Sequence, residues 1–338
     1  MASIKDVAKM AGVSISTVSR VINGTANVRE DLSARVIEAI KTLGYHSNPL
    51  ARGLKGLPTK TIGLIIPDIE NPFFPAMVRG VQDVAKANGY AIFLCNTDED
   101  AKLEEIQYSL LLEKKVDGIL LVTSTSNTPF LQKKLTIPVV LLDRYVKGAN
   151  LSDLSYVVVD HTFGMNLILN HLRDVGRQKT VFLGSKPITS GARERFQTFL
   201  AYHKGDPKIR SRVFFGKYTE ESGFEMAEKL LKSGIDFDSV VCGNDLIAFG
   251  AIEVLEKNGI NVPNDVSIVG YDDISFSLYH SPKLTTIHQP VYEIGEIASH
   301  LIIDAIEKGY SEPKHIKLEP RLVIRETSVP RSVKNANT

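Results

Sequence analysis

Apolar residues recur at helical spacing over the first part of the chain. Ile4, Val7, Ala8 and Ala11 fall at i, i+3, i+4 and i+7, the stripe of one short helix. Gly12 suits a left-handed turn position, and Ser14 is placed to cap a second helix that buries Val18, Val21 and Ile22. Leu32, Val36, Ile40 and Leu43 predict a third helix, ended by Gly44. Two short helices joined by a glycine turn are the sequence form of a helix-turn-helix. The outer face of the second helix carries Ile15, Ser16, Thr17, Ser19, Arg20 and Asn23. Hydroxyl, amide and guanidinium groups of this kind meet phosphates and base edges in a major groove. Asn48-Pro49 then opens a candidate helix over 48–55, and Gly56-Leu57-Pro58-Thr59-Lys60 reads as a linker.

From Thr61 the period changes. IGLII (62–66), AIFLC (91–95), GILLV (118–122) and VVLLD (139–143) are short continuous apolar runs, which predict buried parallel strands. Helical segments near 75–88 and 101–115 alternate with them. A second run follows: VVVD (157–160), TVFLG (180–184), VFFG (213–216), VVCG (240–243) and VSIVGYDD (266–273). Helices near 161–175, 192–203, 220–233 and 244–258 separate these, and LTTIHQP (284–290) leads to an amphipathic helix near 291–308. This is βαβ wiring: an α/β class with doubly wound parallel sheets, arranged as two lobes behind a helical headpiece.

Composition narrows the function classes. At 338 residues, 43% apolar and 23% charged, the chain is long enough for two or three ordinary globular domains. No run of 18 apolar residues occurs and no apolar signal core precedes the first helix, so the expectation is a cytoplasmic protein without a membrane partner. Cys95 and Cys242 lie far apart in apolar runs and read as reduced, buried thiols. The net charge of +1 conceals an asymmetry: residues 1–60 carry nine Lys and Arg against four Asp and Glu, and the remainder is mildly acidic. One basic end is the footprint of a protein that meets a polyanion there. Neither G-x-G-x-x-G, G-x-x-x-x-G-K-[ST] nor G-x-S-x-G is present, and the eight histidines lack metal-ligand spacing. No catalytic residue, cofactor or metal site is therefore expected, and the chain reads as a non-enzyme.

The run D-V-A-x-x-A-G-V-S-x-x-T-V-S-R-V-I-N from Asp6 to Asn23, with G-Y-x-x-N-P-x-A-R-x-L from Gly44 to Leu54, resembles the lactose-repressor (LacI/GalR) family of bacterial transcription regulators. The resemblance extends over nearly the whole chain. It implies base reading by Ile15, Ser16 and Arg20, with Ser14, Thr17, Ser19 and Asn23 as phosphate or backbone partners. Arg29 stands where the family commonly has a hydroxyl, which keeps a phosphate contact and loses a helix cap. Residues 48–55 would be a hinge helix, contributing Asn48, Ala51, Arg52 and the wedge Leu54. Eight residues are too few for a stable isolated helix, so two copies would order together in a minor groove and kink the duplex. The partners implied are a palindromic double-stranded DNA operator, a second copy of the chain and a small effector.

The same resemblance implies a periplasmic-binding-protein-like core whose chain crosses between lobes three times. It divides the protein into a headpiece (1–47), a hinge and linker (48–60), a first lobe (61–160 and 291–318), a second lobe (161–290 and 319–330) and a disordered tail (331–338). Open α/β lobes bind ligands at the carboxyl ends of their strands. Phe73, Phe74, Asp143, Arg144, Arg193, Arg195, Tyr218, Asn244, Asp272 and Gln289 follow such ends. Aromatic faces with carboxylates, amides and arginines suit a polyhydroxylated ligand such as a sugar. The crowding of Arg144, Arg193 and Arg195 adds a phosphorylated or acidic sugar to the candidates. Asn244 and Asp272 have the alternative role of capping the elements that follow them. Gly191 and Thr198 differ from the side chains of lactose-repressor relatives, so the ligand stays open. Two other functions fit parts of the chain: a regulator controlled by a phosphoprotein corepressor, and a sugar-binding protein without specific DNA readout.

Overall fold

A computed structural model describes residues 2–23, 28–45, 58–146, 153–309 and 312–329. The chain divides into two compact units, 1–59 and 60–338. The candidate hinge residues Asn48, Ala51, Arg52 and Leu54, and the tail 331–338, lie outside the described residues.

The first unit contains α1 (Ile4–Ala11), α2 (Ile15–Asn23) and α3 (Glu30–Leu43). Ser3 and Asp6 form a reciprocal cap at the start of α1: Asp6 N–H donates to Ser3 Oγ, and Ser3 N–H to Asp6 Oδ2. Gly12 ends α1 at φ 63°, the left-handed geometry the turn requires. Arg35 on α3 donates to the Ala11 carbonyl and fastens this turn from outside, a contact that periodicity alone does not reveal. Val7, Ala8, Ala11, Val18, Val36 and Ala39 form the small core. Val21 and Ile22, read as buried, are only partly so and pack at its edge.

The second unit holds two parallel sheets. The first has the strand order β11-β5-β4-β3-β1-β2, built from β1 (Thr61–Ile66), β2 (Ala91–Asn96), β3 (Gly118–Leu121), β4 (Val139–Leu142), β5 (Ser155–Val159) and β11 (His315–Leu318). The second has the order β7-β6-β8-β9, from β6 (Thr180–Ser185), β7 (Val213–Gly216), β8 (Ser239–Cys242) and β9 (Ser267–Val269). An antiparallel pair, β10 (Thr286–His288) with β12 (Arg321–Val323), completes the strands. The chain passes between the two sheets near 160, 289 and 319.

Two sequence expectations need correction. The run at 157–160, grouped with the second series although the division at 160 leaves it in the first lobe, is β5 and pairs with β4 in the first sheet. Strand β2 is not buried: it is the edge strand, with Phe93 and Leu94 exposed and Cys95 half-buried. A run of apolar residues does not distinguish a central strand from an edge strand whose outer side is uncovered. Cys242, on central β8, is buried as read.

Helices α4 (Phe73–Ala87), α5 (Ala101–Glu113) and α11 (Val291–Lys308) flank the first sheet. Helices α6 (His161–Asp174), α7 (Ser190–Tyr202), α8 (Glu220–Lys232) and α9 (Asp245–Lys257) flank the second, and α10 (Phe276–Tyr279) is a single turn. Helices α4 and α11 meet at paired glycines. A Cβ on Gly80 would stand 2.2 Å from the Tyr292 carbonyl oxygen, and one on Gly295 would stand 2.4 Å from that of Met77. This close approach fixes the helix that carries Phe73 and Phe74.

Candidate functional site

In the first unit, Ser14 caps α2 by accepting the Thr17 N–H at 3.1 Å, and its hydroxyl also meets Ser16 Oγ (2.7 Å) and Thr17 Oγ1 (2.9 Å). Ser14, Ile15, Ser16 and Arg20 are exposed, while Thr17 and Ser19 are half-buried. Asn23 is the last residue of α2. Arg20 forms no ion pair among the described residues. Arg29 precedes α3 without a side-chain cap, as its identity implied, and holds Asp31 through two hydrogen bonds (3.0 and 2.7 Å). The helix thus presents hydroxyls, an aliphatic side chain and a guanidinium on one free face.

In the second unit, nine of the ten residues singled out converge on one cavity: Phe73, Phe74, Asp143, Arg144, Arg195, Tyr218, Asn244, Asp272 and Gln289 line it, with Asn71. All but Arg195, which lies in the second turn of α7, follow the carboxyl end of a strand or open the next helix. Arg193 is the exception. It lies two positions from Arg195 on α7, about 200° around the helix, and does not line the cavity. The cavity measures about 30 Å³, room for a single water. The lobes are closed on it. Tyr145 N–H donates to Ser190 Oγ (2.9 Å), Tyr145 Oη to Glu194 Oε1 (2.8 Å) and Ser126 N–H to the Ile188 carbonyl (2.8 Å), all from first-sheet loops to the β6–α7 region.

The polar walls are mostly paired to one another. Asn244 does cap α9, accepting the Ile247 N–H at 3.0 Å, while its amide donates to the Tyr218 carbonyl at 3.3 Å. Asn244 is thus a helix cap that also lines the cavity. Gln289 Nε2 donates to Asp272 Oδ1 at 2.6 Å. Asp143 and Asp272 are held at positive φ, 60° and 118°, conformations that non-glycine residues adopt seldom and that cluster at functional sites. Burial pushes both carboxyls above the usual range, Asp272 strongly so, with Asp245 adding to it. Arg195 Nη2 donates to Tyr218 Oη at 2.8 Å, and its guanidinium lies 4.6 Å from the Tyr271 ring centroid. Phe73 and Phe74 meet edge to face, centroids 5.1 Å apart.

Two buried polar atoms in this lining have no hydrogen-bond partner among the described residues: Arg195 Nε, a donor, and Gln289 Oε1, an acceptor. Buried polar atoms are nearly always satisfied, so an unpaired donor and an unpaired acceptor on two residues of one cavity lining mark a place for a ligand.

Sequence reasoning missed three contributors. Asn71 accepts the Phe73 N–H at 3.0 Å and sets the start of α4; the signal was an Asn before Pro at a helix start. Tyr271 and His161 form the floor beneath Arg195, their side chains 3.0 Å apart, and burial drives His161 well below its ordinary pKa. Neither carries a sequence signal, because both come from apolar stretches.

An exposed helix bearing hydroxyls and a guanidinium, and a cavity at the strand ends of a two-sheet core, fit a ligand-responsive DNA-binding regulator. The chain belongs to the LacI family of bacterial regulatory proteins. Residues 3–48 match the model of bacterial regulatory proteins of the lacI family, and residues 59–326 that of periplasmic binding proteins and the sugar-binding domain of the LacI family. The HTH-type transcriptional repressor PurR of Actinobacillus pleuropneumoniae serotype 3 is 38% identical over the whole of both chains. The ribose operon repressor of Halalkalibacterium halodurans is 35% identical over 97% of each. A LacI-family regulator from Enterococcus faecium with bound ribose is similar in structure, with TM-score 0.71 and 29% identity over 80% of this chain and all of that one. Members of the family are transcription regulators rather than enzymes.

Proposed function

We propose that the protein is a cytoplasmic, homodimeric repressor of a carbohydrate-utilisation operon, controlled by a small sugar between the core lobes. The observation that carries the ligand class is the unfilled donor of Arg195 beside the unfilled acceptor of Gln289, in a cavity with two carboxylates. A hydroxyl both donates and accepts, so a polyol completes this lining, whereas an apolar ligand leaves it unsatisfied. Phe73, Phe74 and Tyr218 offer apolar faces to the ring carbons; Asp143, Arg195, Asn244, Asp272 and Gln289 take the hydroxyls. The ribose held by the Enterococcus faecium regulator and the Halalkalibacterium relative's role as a ribose operon repressor support a monosaccharide.

In this reading Ile15, Ser16 and Arg20 specify sequence, and Ser14, Thr17, Ser19, Asn23 and Arg29 position the headpiece on phosphates. Asn48, Ala51, Arg52 and Leu54 belong to a hinge helix at the centre of a palindrome. We divide the chain at 47, 60, 160, 290 and 318, as the family resemblance implies. The exposed Phe93 and Leu94 of β2, with Ile106 and Leu110 of the adjacent α5, form the face we assign to the second copy. Lobe closure changes the spacing of the two hinges and shifts operator affinity by a coupling of about 1–3 kcal/mol.

Selection from randomised duplex DNA at about 0.15 M salt, where non-specific phosphate binding is weakened, tests the DNA half. A palindrome with two half-sites is expected, and Arg20→Ala should relax one base position by about 1–3 kcal/mol. An unenriched pool, both with and without added sugars, refutes it. Calorimetric titration with uncharged monosaccharides tests the ligand half.

A further inference from the structure

The loop after β2 has an unusual course. Asp98 and Glu99 are consecutive non-glycine residues at φ 50° and 57°, a conformation with a steric cost. The loop is fastened on both sides: Glu99 N–H donates to the Pro67 carbonyl at 3.0 Å, and Asp100 caps α5 by accepting the Lys102 N–H at 2.7 Å. This course delivers the Glu99 carboxylate to Arg144. Arg144 Nη1 meets Glu99 Oε2 and Nη2 meets Oε1, both at 2.8 Å, a two-pronged pair. Nη1 also donates to the Thr123 carbonyl at 2.9 Å, and Nε lies 3.4 Å from Asp143 Oδ2. Arg144 therefore reaches the cavity with its charge already matched.

The remaining arginine of the lining, Arg195, shares the cavity with the carboxyl groups of Asp143 and Asp272. Outside lies a larger cleft of about 1150 Å³ whose lining includes Asp68, Glu70, Asp98 and Asp100, and across it Glu221 and Glu225, against Lys186 and Lys217. A ligand passes this lip, acidic on balance, before it reaches the inner cavity, and a net negative lip repels an anionic ligand.

We propose that Glu99 sets the charge selectivity of the cavity: by holding Arg144 in an ion pair it makes the site one for uncharged sugars and closes it to sugar phosphates and sugar acids. This rests on reading the cavity as a sugar site. It reverses what the three neighbouring arginines suggest in the sequence, because Arg193 faces elsewhere and Arg144 is occupied. The unfilled Arg195 Nε and Gln289 Oε1 are met by hydroxyls alone, with no need for an anion.

The experiment is calorimetric titration of the full-length protein with matched probes: D-ribose and D-ribose 5-phosphate, D-glucose with D-glucose 6-phosphate and D-gluconate, D-fructose and D-fructose 1-phosphate. For whichever sugar binds, the charged counterpart should bind about a hundredfold more weakly, as like-charge juxtaposition implies. Glu99→Gln keeps the shape and removes the charge, and should shrink that ratio about tenfold. Should the variant fail to fold, the wild-type ratio should still fall as salt rises from about 0.05 to 0.5 M, which screens the lip. A phosphate or acid that binds as tightly as its parent sugar overturns the inference while leaving the sugar site standing. So does a ratio unchanged in folded Glu99→Gln. If no probe binds, charged or uncharged, the sugar reading falls and the inference with it.

Discussion

The hydrogen bonds described between the lobes allow a quantitative test through Tyr145. Its hydroxyl donates to Glu194 Oε1, while Glu194 Oε2 is buried without a partner among the described residues. Burial and the Glu194 carboxylate push the phenol up to about 12, so it remains a donor at neutral pH. Tyr145→Phe removes the donor and leaves the carboxylate in place. A hydrogen bond to a charged group contributes about 1.5–3 kcal/mol, and each 1.4 kcal/mol is about tenfold in an equilibrium constant. The opening equilibrium should therefore rise by roughly ten- to a hundredfold. Hydrogen exchange reads this without any ligand, because the Tyr145 and Ser126 amides donate across the lobes and lose protection when the lobes part. Both amides should exchange faster by the same factor, while those of β8 and β3 keep their rates. A sugar that binds the closed form should lose apparent affinity only as far as the closed fraction falls. Unchanged exchange at Ser126 and Tyr145 would show that this bond does not hold the lobes together.

Two further outcomes follow from packing and charge. Gly80→Ala places a methyl 2.2 Å from the Tyr292 carbonyl; α4 must shift, at about 1–3 kcal/mol for overpacking, seen as a lower urea midpoint, and a change below about 0.5 kcal/mol contradicts the crossing. His161 is neutral in the fold because burial lowers its pKa, so below its ordinary value near 6.5 only the unfolded chain takes the proton. Stability should then fall on acidification by up to about 1.4 kcal/mol per pH unit from this group, and urea unfolding of His161→Asn between pH 7 and 5.5 should show a shallower slope.

The headpiece was readable because its apolar stripe and its helix ends are local. Gly12, Ser14 and Gly44 announce themselves within a few residues of the helices they bound. The cavity was largely readable for a topological reason: in a parallel sheet the loops after the strands share one edge, so Asn244 and Asp272 fall together at the edge of the second sheet, and Asp143 falls at the corresponding edge of the first. What failed was any question of facing or pairing. Arg193 and Arg195 look equivalent in the sequence, yet the helical period turns one of them away. Arg144 looks like a binder of anions until Glu99 is found beside it, brought from 45 positions away by a left-handed loop. Strand β2 reads like its neighbours, although its outer edge is uncovered. Burial and pairing are properties of the assembled sheet, not of the segment.

The small size of the closed cavity has a consequence for timing. At about 30 Å³ it admits no sugar as it stands. A ligand must arrive while the lobes are apart, so the rate of capture is bounded by how often they open rather than by diffusion. Raising the sugar concentration should speed the observed approach to equilibrium only up to a plateau equal to the opening rate. Escape faces the same gate. Brief fluctuations in sugar supply, shorter than the interval between openings, then pass without reaching the operator.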